Sequence, residues 1–198
     1  MNNGIGGSTA QIELDKIANR TEGIQPIQLE EYQDRLKKAS QLMQNLDIKA
    51  TYINAGTNLY YFTGTKWNAS ERMVGALLFA DGSLEYIVPK FEDGTFKKYQ
   101  KVEAPLNCWE EHESPYALLG TLLKNRNITE GTIALDESAA YFLIDGVTKA
   151  NPAYTFINAQ PITTGCRIQK SANEIAIIQR AKDITMEVHR AVARILRP

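Results

Sequence analysis

Cysteine is scarce in this sequence: Cys108 and Cys166 are the only two. Two thiols so far apart in the chain make no disulfide framework, so reduced thiols are expected. Histidine is as scarce, and neither His112 nor His189 stands in the His-x-x-x-His or Glu-x-x-His spacing of a helical metal site. An excess of one charge is missing too. Lys and Arg total 22 against 23 Asp and Glu, for a net charge of −1, which leaves no electrostatic footprint for nucleic acid or an anionic membrane. The longest apolar run, Val74 to Ala80, falls far short of the roughly 20 residues needed to cross a bilayer. Met1-Asn2-Asn3-Gly4 has neither the basic stretch nor the apolar run of a signal peptide, so a cytoplasmic protein is expected. No Gly-x-Ser-x-Gly elbow occurs, and Gly4-Ile5-Gly6-Gly7 precedes no strand, as a phosphate loop must.

What is present is enough to fold. A 198-residue chain that is 43% hydrophobic can bury the core of one domain. Residues 1–27 are expected to be a flexible lead-in, richest in Gly, Asn, Ser and Thr over the first ten. Leu29, Tyr32, Leu36, Ala39, Leu42, Met43 and Leu46 recur at three- and four-residue spacing and predict an amphipathic helix over 28–46. Lys49–Asn54 reads as a strand and Gly56–Phe62 as a short helix or turn. Met73–Ala80 and Leu84–Val88 flank Asp81-Gly82, a hairpin signal.

Further on, Pro89–Tyr99 predicts a weak helix, Ala104–Trp109 a strand, and Ser114-Pro115 the N-cap and first turn of a helix through Leu123. Thr132–Leu135, Ser138–Ala150 and Tyr154–Ile157 read as strand, helix and strand. The alternation predicts an α/β fold, a mixed β-sheet flanked by helices. Ser171-Ala172-Asn173-Glu174 is a capping box opening a long helix whose apolar face runs from Ile175 to Ile195. A stripe of that length, ending at Arg197-Pro198 without a glycine cap, leads us to expect a piece of a longer protein.

Candidate chemistry is sparse. Cys108 and His112 are four apart, but two ligands do not close a metal site, and a buried thiol beside a partly exposed imidazole is the simpler reading. Asp136 and Asp145 lack further ligands nearby in sequence, and Asp136 is expected to end a strand and cap the helix near Ser138. No catalytic residue and no metal ligand is therefore assigned. The segment Asn58–Arg72 differs, because it sets aromatics, a Lys and an Arg on a loop. Trp67 and Arg72 are the candidate substrate-binding residues, since these side chains anchor contacts. The competing reading places Tyr60 and Phe62 in the core, with Trp67 covering an edge.

An ordered set of short motifs carries a resemblance: Asn58-Leu59-Tyr60-Tyr61-Phe62-Thr63-Gly64, Glu71-Arg72, Ala76–Phe79 with Asp81-Gly82, Trp109-Glu110-Glu111 with Glu113-Ser114-Pro115, and Arg167-Ile168-Gln169-Lys170-Ser171 with Glu174-Ile175. In this order they resemble the N-terminal domain of the creatinase/prolidase/Xaa-Pro aminopeptidase (M24 metallopeptidase) family, over about residues 28–196. The resemblance implies a ribonuclease-H-like α/β domain over 28–168 and a linker helix over 169–198 leading to a catalytic domain absent from this sequence. That domain would hold two divalent ions, Mn or Co, on two Asp, one His and two Glu, and hydrolyse Xaa-Pro bonds. The N-terminal domain would make homodimer contacts and gate a proline-containing peptide substrate. Arg72 matches a position where creatinase-like members carry Gly-Arg, but Glu71 precedes it here, which leans towards the peptidases. A stand-alone protein-binding module and a creatinase-type amidinohydrolase are the alternatives.

Overall fold

The computed structural model describes residues 6–196. In chain order its elements are α1 (Ala10–Leu14), α2 (Leu29–Asn45), β1 (Ile48–Asn54), α3 (Thr57–Thr63), β2 (Gly75–Phe79) and β3 (Leu84–Pro89). After a 3-10 turn at Lys90–Glu92 come α4 (Asp93–Tyr99), β4 (Leu106–Trp109), α5 (Pro115–Asn125), β5 (Gly131–Leu135), α6 (Tyr141–Ala150), β6 (Tyr154–Asn158), α7 (Gln160–Arg167) and α8 (Ala172–Ile195). Gln28–Gln169 form one compact unit, and the two terminal segments form another.

The larger unit is built on a six-stranded sheet of order β4-β3-β2-β1-β5-β6. The pairs β1·β2 and β2·β3 are antiparallel, whereas β1·β5, β3·β4 and β5·β6 are parallel. The hairpin turns at Asp81-Gly82: Gly82 N–H donates to the Phe79 carbonyl at 2.9 Å, with Gly82 at φ +87°, a conformation that costs glycine little. β2 is buried at every position and β1 and β3 nearly so, because helices cover both faces; this is why these strands read as apolar runs without strict alternation.

On one face Tyr52, Leu77, Ile87, Trp109, Ile133 and Leu135 pack with Leu119, Leu122 and Leu123 of α5 and Leu143 and Val147 of α6. Residues of opposite parity meet α2 and α4 on the other face. Thr51 Oγ1 lies 3.0 Å from Met43 Sδ, and the Tyr86 and Phe96 rings meet at 5.1 Å. The α2 stripe foreseen from spacing is the buried one: Tyr32, Leu36, Ala39 and Met43 are all under 7% exposed. Burying one such side chain contributes about 1.5–3 kcal/mol.

Three elements depart from the sequence reading. α7 was not foreseen; Ile162, Thr163 and Cys166 are buried and α7 packs against α2, so tertiary contact rather than propensity makes it a helix. α6 begins at Tyr141, not Ser138, because Asp136 and Ser138 form a local turn first: Ser138 N–H and Oγ donate to Asp136 Oδ1 at 2.8 and 2.7 Å. Within the expected lead-in, residues 10–14 are helical, with Thr9 Oγ1 accepting from Ile12 N–H. The α8 capping box is present in both directions, with Glu174 N–H donating to Ser171 Oγ at 3.0 Å and Ser171 N–H to Glu174 Oε2 at 2.8 Å.

Candidate functional site

The loop between α3 and β2 is held at both ends and open in the middle. At its start Gly64 ends α3 with φ +69°, and its N–H donates to the Tyr60 carbonyl at 2.9 Å. A Cβ there would also stand 2.8 Å from the Tyr32 ring, so only glycine fits on both counts. At its end the Met73 carbonyl accepts from Trp109 Nε1 at 3.1 Å. The Val74 carbonyl accepts from Ala55 N–H at 2.9 Å and from the Tyr52 hydroxyl at 3.1 Å. Tyr52 is fully buried, and burial pushes its phenol far above the ordinary range, so it stays a neutral donor.

Trp67 and Arg72 both border the segment Lys90–Tyr99, but they do different work. The Trp67 ring is half-buried, 5.3 Å from Phe96 and 6.2 Å from Tyr99, both on α4. Arg72 is reached by solvent. Its Nε donates to Glu111 Oε1 at 2.9 Å, its Nη1 pairs with Glu71, and its guanidinium lies over the exposed Phe91 ring at 5.2 Å. The hydrogen bond it donates to Glu111 raises the Arg72 pKa further, so the side chain is a permanent cation. Glu92 is shifted upward, chiefly by burial, with Arg72 opposing and Glu71 and Glu111 adding. Arg72 thus sits among three carboxylates, whose charge it offsets only in part. Chemically the group can bind a carboxylate by exchange with Glu111, or hold the Glu110–Glu113 turn against the loop. The partnership of Arg72 with Glu111 and Phe91, distant in sequence, had no local signal.

The remaining candidates do not assemble. Cys108 is half-buried, with a thiol raised chiefly by burial, while His112 is exposed. Asp136 and Asp145 serve separate ends: Asp145 pairs with Lys149 along α6 at 2.8 Å, whereas Asp136 is 1% exposed. Asp136 accepts from Asn54 N–H and Asn58 Nδ2, each at 2.9 Å, and twice from Ser138. Those contacts tie β1, the end of β5 and α3 together. Asn58 in turn accepts from Arg167 at 2.7 Å and donates to Glu137 at 3.2 Å; Glu137 accepts from Thr163 Oγ1 at 2.9 Å. Among the described residues no three His, Cys, Asp or Glu side chains converge as a metal-ligand set. The described residues thus offer no ligand set for the two-ion centre, which the resemblance places in a separate domain. No described helix is long and apolar enough to cross a membrane.

Comparison with known proteins agrees with this architecture. The sequence pattern of the creatinase/prolidase N-terminal domain matches residues 35–169. A putative dipeptidase of Bacillus subtilis is 24% identical over 165 residues, which cover 81% of this chain and 45% of the relative. The Xaa-Pro dipeptidase of Pyrococcus furiosus is 26% identical over 152 residues, 76% of this chain and 39% of the relative. The chain thus spans under half the length of these curated relatives. Among solved structures, the dipeptidase of Pyrococcus horikoshii superimposes with a TM-score of 0.70 at 24% identity, covering 80% of this chain and 43% of that one. The creatinase/prolidase N-terminal domain of an Xaa-Pro dipeptidase from Streptococcus pyogenes gives a TM-score of 0.57 at 17% identity, covering 67% and 98%. Through this match over most of its length, the chain belongs to the creatinase/prolidase N-terminal domain family.

Proposed function

We propose that this chain is the N-terminal, non-catalytic part of a cytoplasmic Xaa-Pro dipeptidase or aminopeptidase. It acts as a homodimer and gates a proline-containing peptide into a dinuclear-metal domain outside this sequence, with Mn or Co as the ions. The observation that carries the reading is the match over 35–169 to a domain that relatives named as dipeptidases share, combined with a span under half their length. Trp67 and Arg72 supply the gate in this reading. Arg72 offers a charge-assisted contact to a peptide carboxylate, and Trp67 an apolar wall that excludes water.

The test is Xaa-Pro dipeptide hydrolysis by the complete protein with Mn²⁺ or Co²⁺, compared with Arg72→Ala. A fall in kcat/KM of about tenfold, roughly 1.4 kcal/mol, with an unchanged melting temperature supports recognition by Arg72. Full activity in the variant removes Arg72 from the site. Absence of Xaa-Pro hydrolysis by the complete protein rejects the peptidase reading itself.

A further inference from the structure

Residues 6–26 and helix α8 lie on either side of the stretch that the family pattern matches, yet they form one unit together. Asn173, Arg180, Glu187 and Arg194 recur every seven residues on α8, so they share one stripe of the helix. The N-terminal segment meets that stripe in reverse order. Asn173 Nδ2 donates to the Pro26 carbonyl at 3.5 Å, and Arg180 Nη1 to the Arg20 and Glu22 carbonyls at 2.5 and 3.4 Å. Arg20 pairs with Glu187 at 2.9 Å.

At the far end, Arg194 Nε and Nη2 grip Glu13 Oε2 at 2.9 and 2.6 Å. Between these last two contacts Ala191 is 4% exposed, the buried residue of α8.

The end of α8 has a need that this segment meets. A helix leaves its last carbonyls without intrahelical donors, and α8 closes on Leu196 with no glycine cap. Gly6 N–H donates to the Ala193 carbonyl at 3.2 Å and Ser8 N–H to the Arg194 carbonyl at 3.1 Å. The amides of a distant segment thus take the place of a local C-cap. Glu13 makes the same junction from the side. It is 1% exposed, and hydrogen bonds from Arg194, Ser8 and Lys16 hold its carboxyl down to about 2.

We infer that the N-terminal segment is a strap that caps and clasps the C-terminal turns of α8, with Glu13–Arg194 as its buckle. The strap makes the last turns of α8 depend on residues 6–20.

Hydrogen exchange of the 198-residue chain tests this. Deleting residues 1–8 removes both capping amides, and Glu13→Gln weakens the buckle while keeping its shape. Each should speed amide exchange over 188–196 by about tenfold, the scale of losing a cap or a charged hydrogen bond, and leave 28–169 unchanged. Glu13→Arg combined with Arg194→Glu should restore protection relative to either single change. Exchange over 188–196 that stays at the wild-type rate in both variants overturns the strap. So does acceleration that extends through 28–169, and so does a swap no better than its single changes.

Discussion

Two arginine-centred clusters in the larger unit use similar chemistry to opposite ends. Arg167 donates to Asn58, which leads to the buried Asp136 and joins the carboxyl ends of β1 and β5 to α3. Arg72 donates to Glu111 and Glu71 on the rim of an anchored loop, with its side chain 35% exposed and Glu111 59% exposed. In the first cluster Asp136 accepts three hydrogen bonds on Oδ1 and one on Oδ2, so its loss leaves buried donors unmet. In the second, water and salt can replace each partner at little cost. Ion pairs at a protein surface are free to exchange for a ligand, and those inside it are not. That difference separates a buried structural network from a surface cluster able to exchange its partners.

The contrast is sharpest in stability. Asp136→Ala should lower unfolding free energy by about 3 kcal/mol, measured by chemical denaturation, because Asn54 N–H, Asn58 and Ser138 lose a buried charged acceptor. A variant as stable as wild type would show that water reaches this cluster. Trp67→Ala should cost about 1–2 kcal/mol, since its ring packs on Phe96 and Tyr99. The purely recognitive role expected of Trp67 from the sequence predicts almost no loss, and the thermal melt decides between them.

Glu111→Gln should shift stability by no more than about 0.5 kcal/mol. On the proposed peptidase reading, leaving Arg72 with Glu71 alone should also lower the KM of the complete protein for an Xaa-Pro dipeptide; a raised KM would make Glu111 part of the binding surface rather than a competitor. The thiols report the same contrast at the smallest scale. Cys166 is buried, with its thiol pushed up to about 11, while Cys108 is half-buried and only raised. Iodoacetamide at pH 8 should therefore modify Cys108 first, as read by peptide mass; faster labelling of Cys166 would mean that α7 opens.

Much of the fold was legible in the sequence because its signals are local. The α2 stripe, the Asp81-Gly82 turn, the Ser114-Pro115 start and the Ser171–Glu174 capping box each need only neighbours in the chain. α7 was not legible, because Pro161, Ile162, Thr163, Thr164 and Gly165 carry little helical preference and the helix exists only against α2. The surroundings of the candidate residues were only half legible. Composition picked out Trp67 and Arg72, but nothing near them announces that Trp67 leans on Phe96 or that Arg72 is already held by Glu111. Asp136 follows β5 directly, as expected, but it closes a turn with Ser138 instead of capping α6, whose N-cap is Ala140, and its partners on β1 and α3 lay beyond the reach of a local reading.

The strand order has a kinetic consequence. β1 pairs on one side with β2, its neighbour in sequence, and on the other with β5, so Tyr52 meets both Leu77 and Leu135. Closing the longer loop costs more chain entropy than closing the hairpin side. The stretch from β1 to β4 can therefore collect its contacts first, with β5 and β6 added to an edge already formed. Truncations in β6, such as Phe156→Ala, should then speed unfolding and barely slow refolding, whereas Leu77→Ala should slow refolding, both read from denaturant-dependent rates. Equal retardation of refolding by both would mean that the sheet closes in a single step.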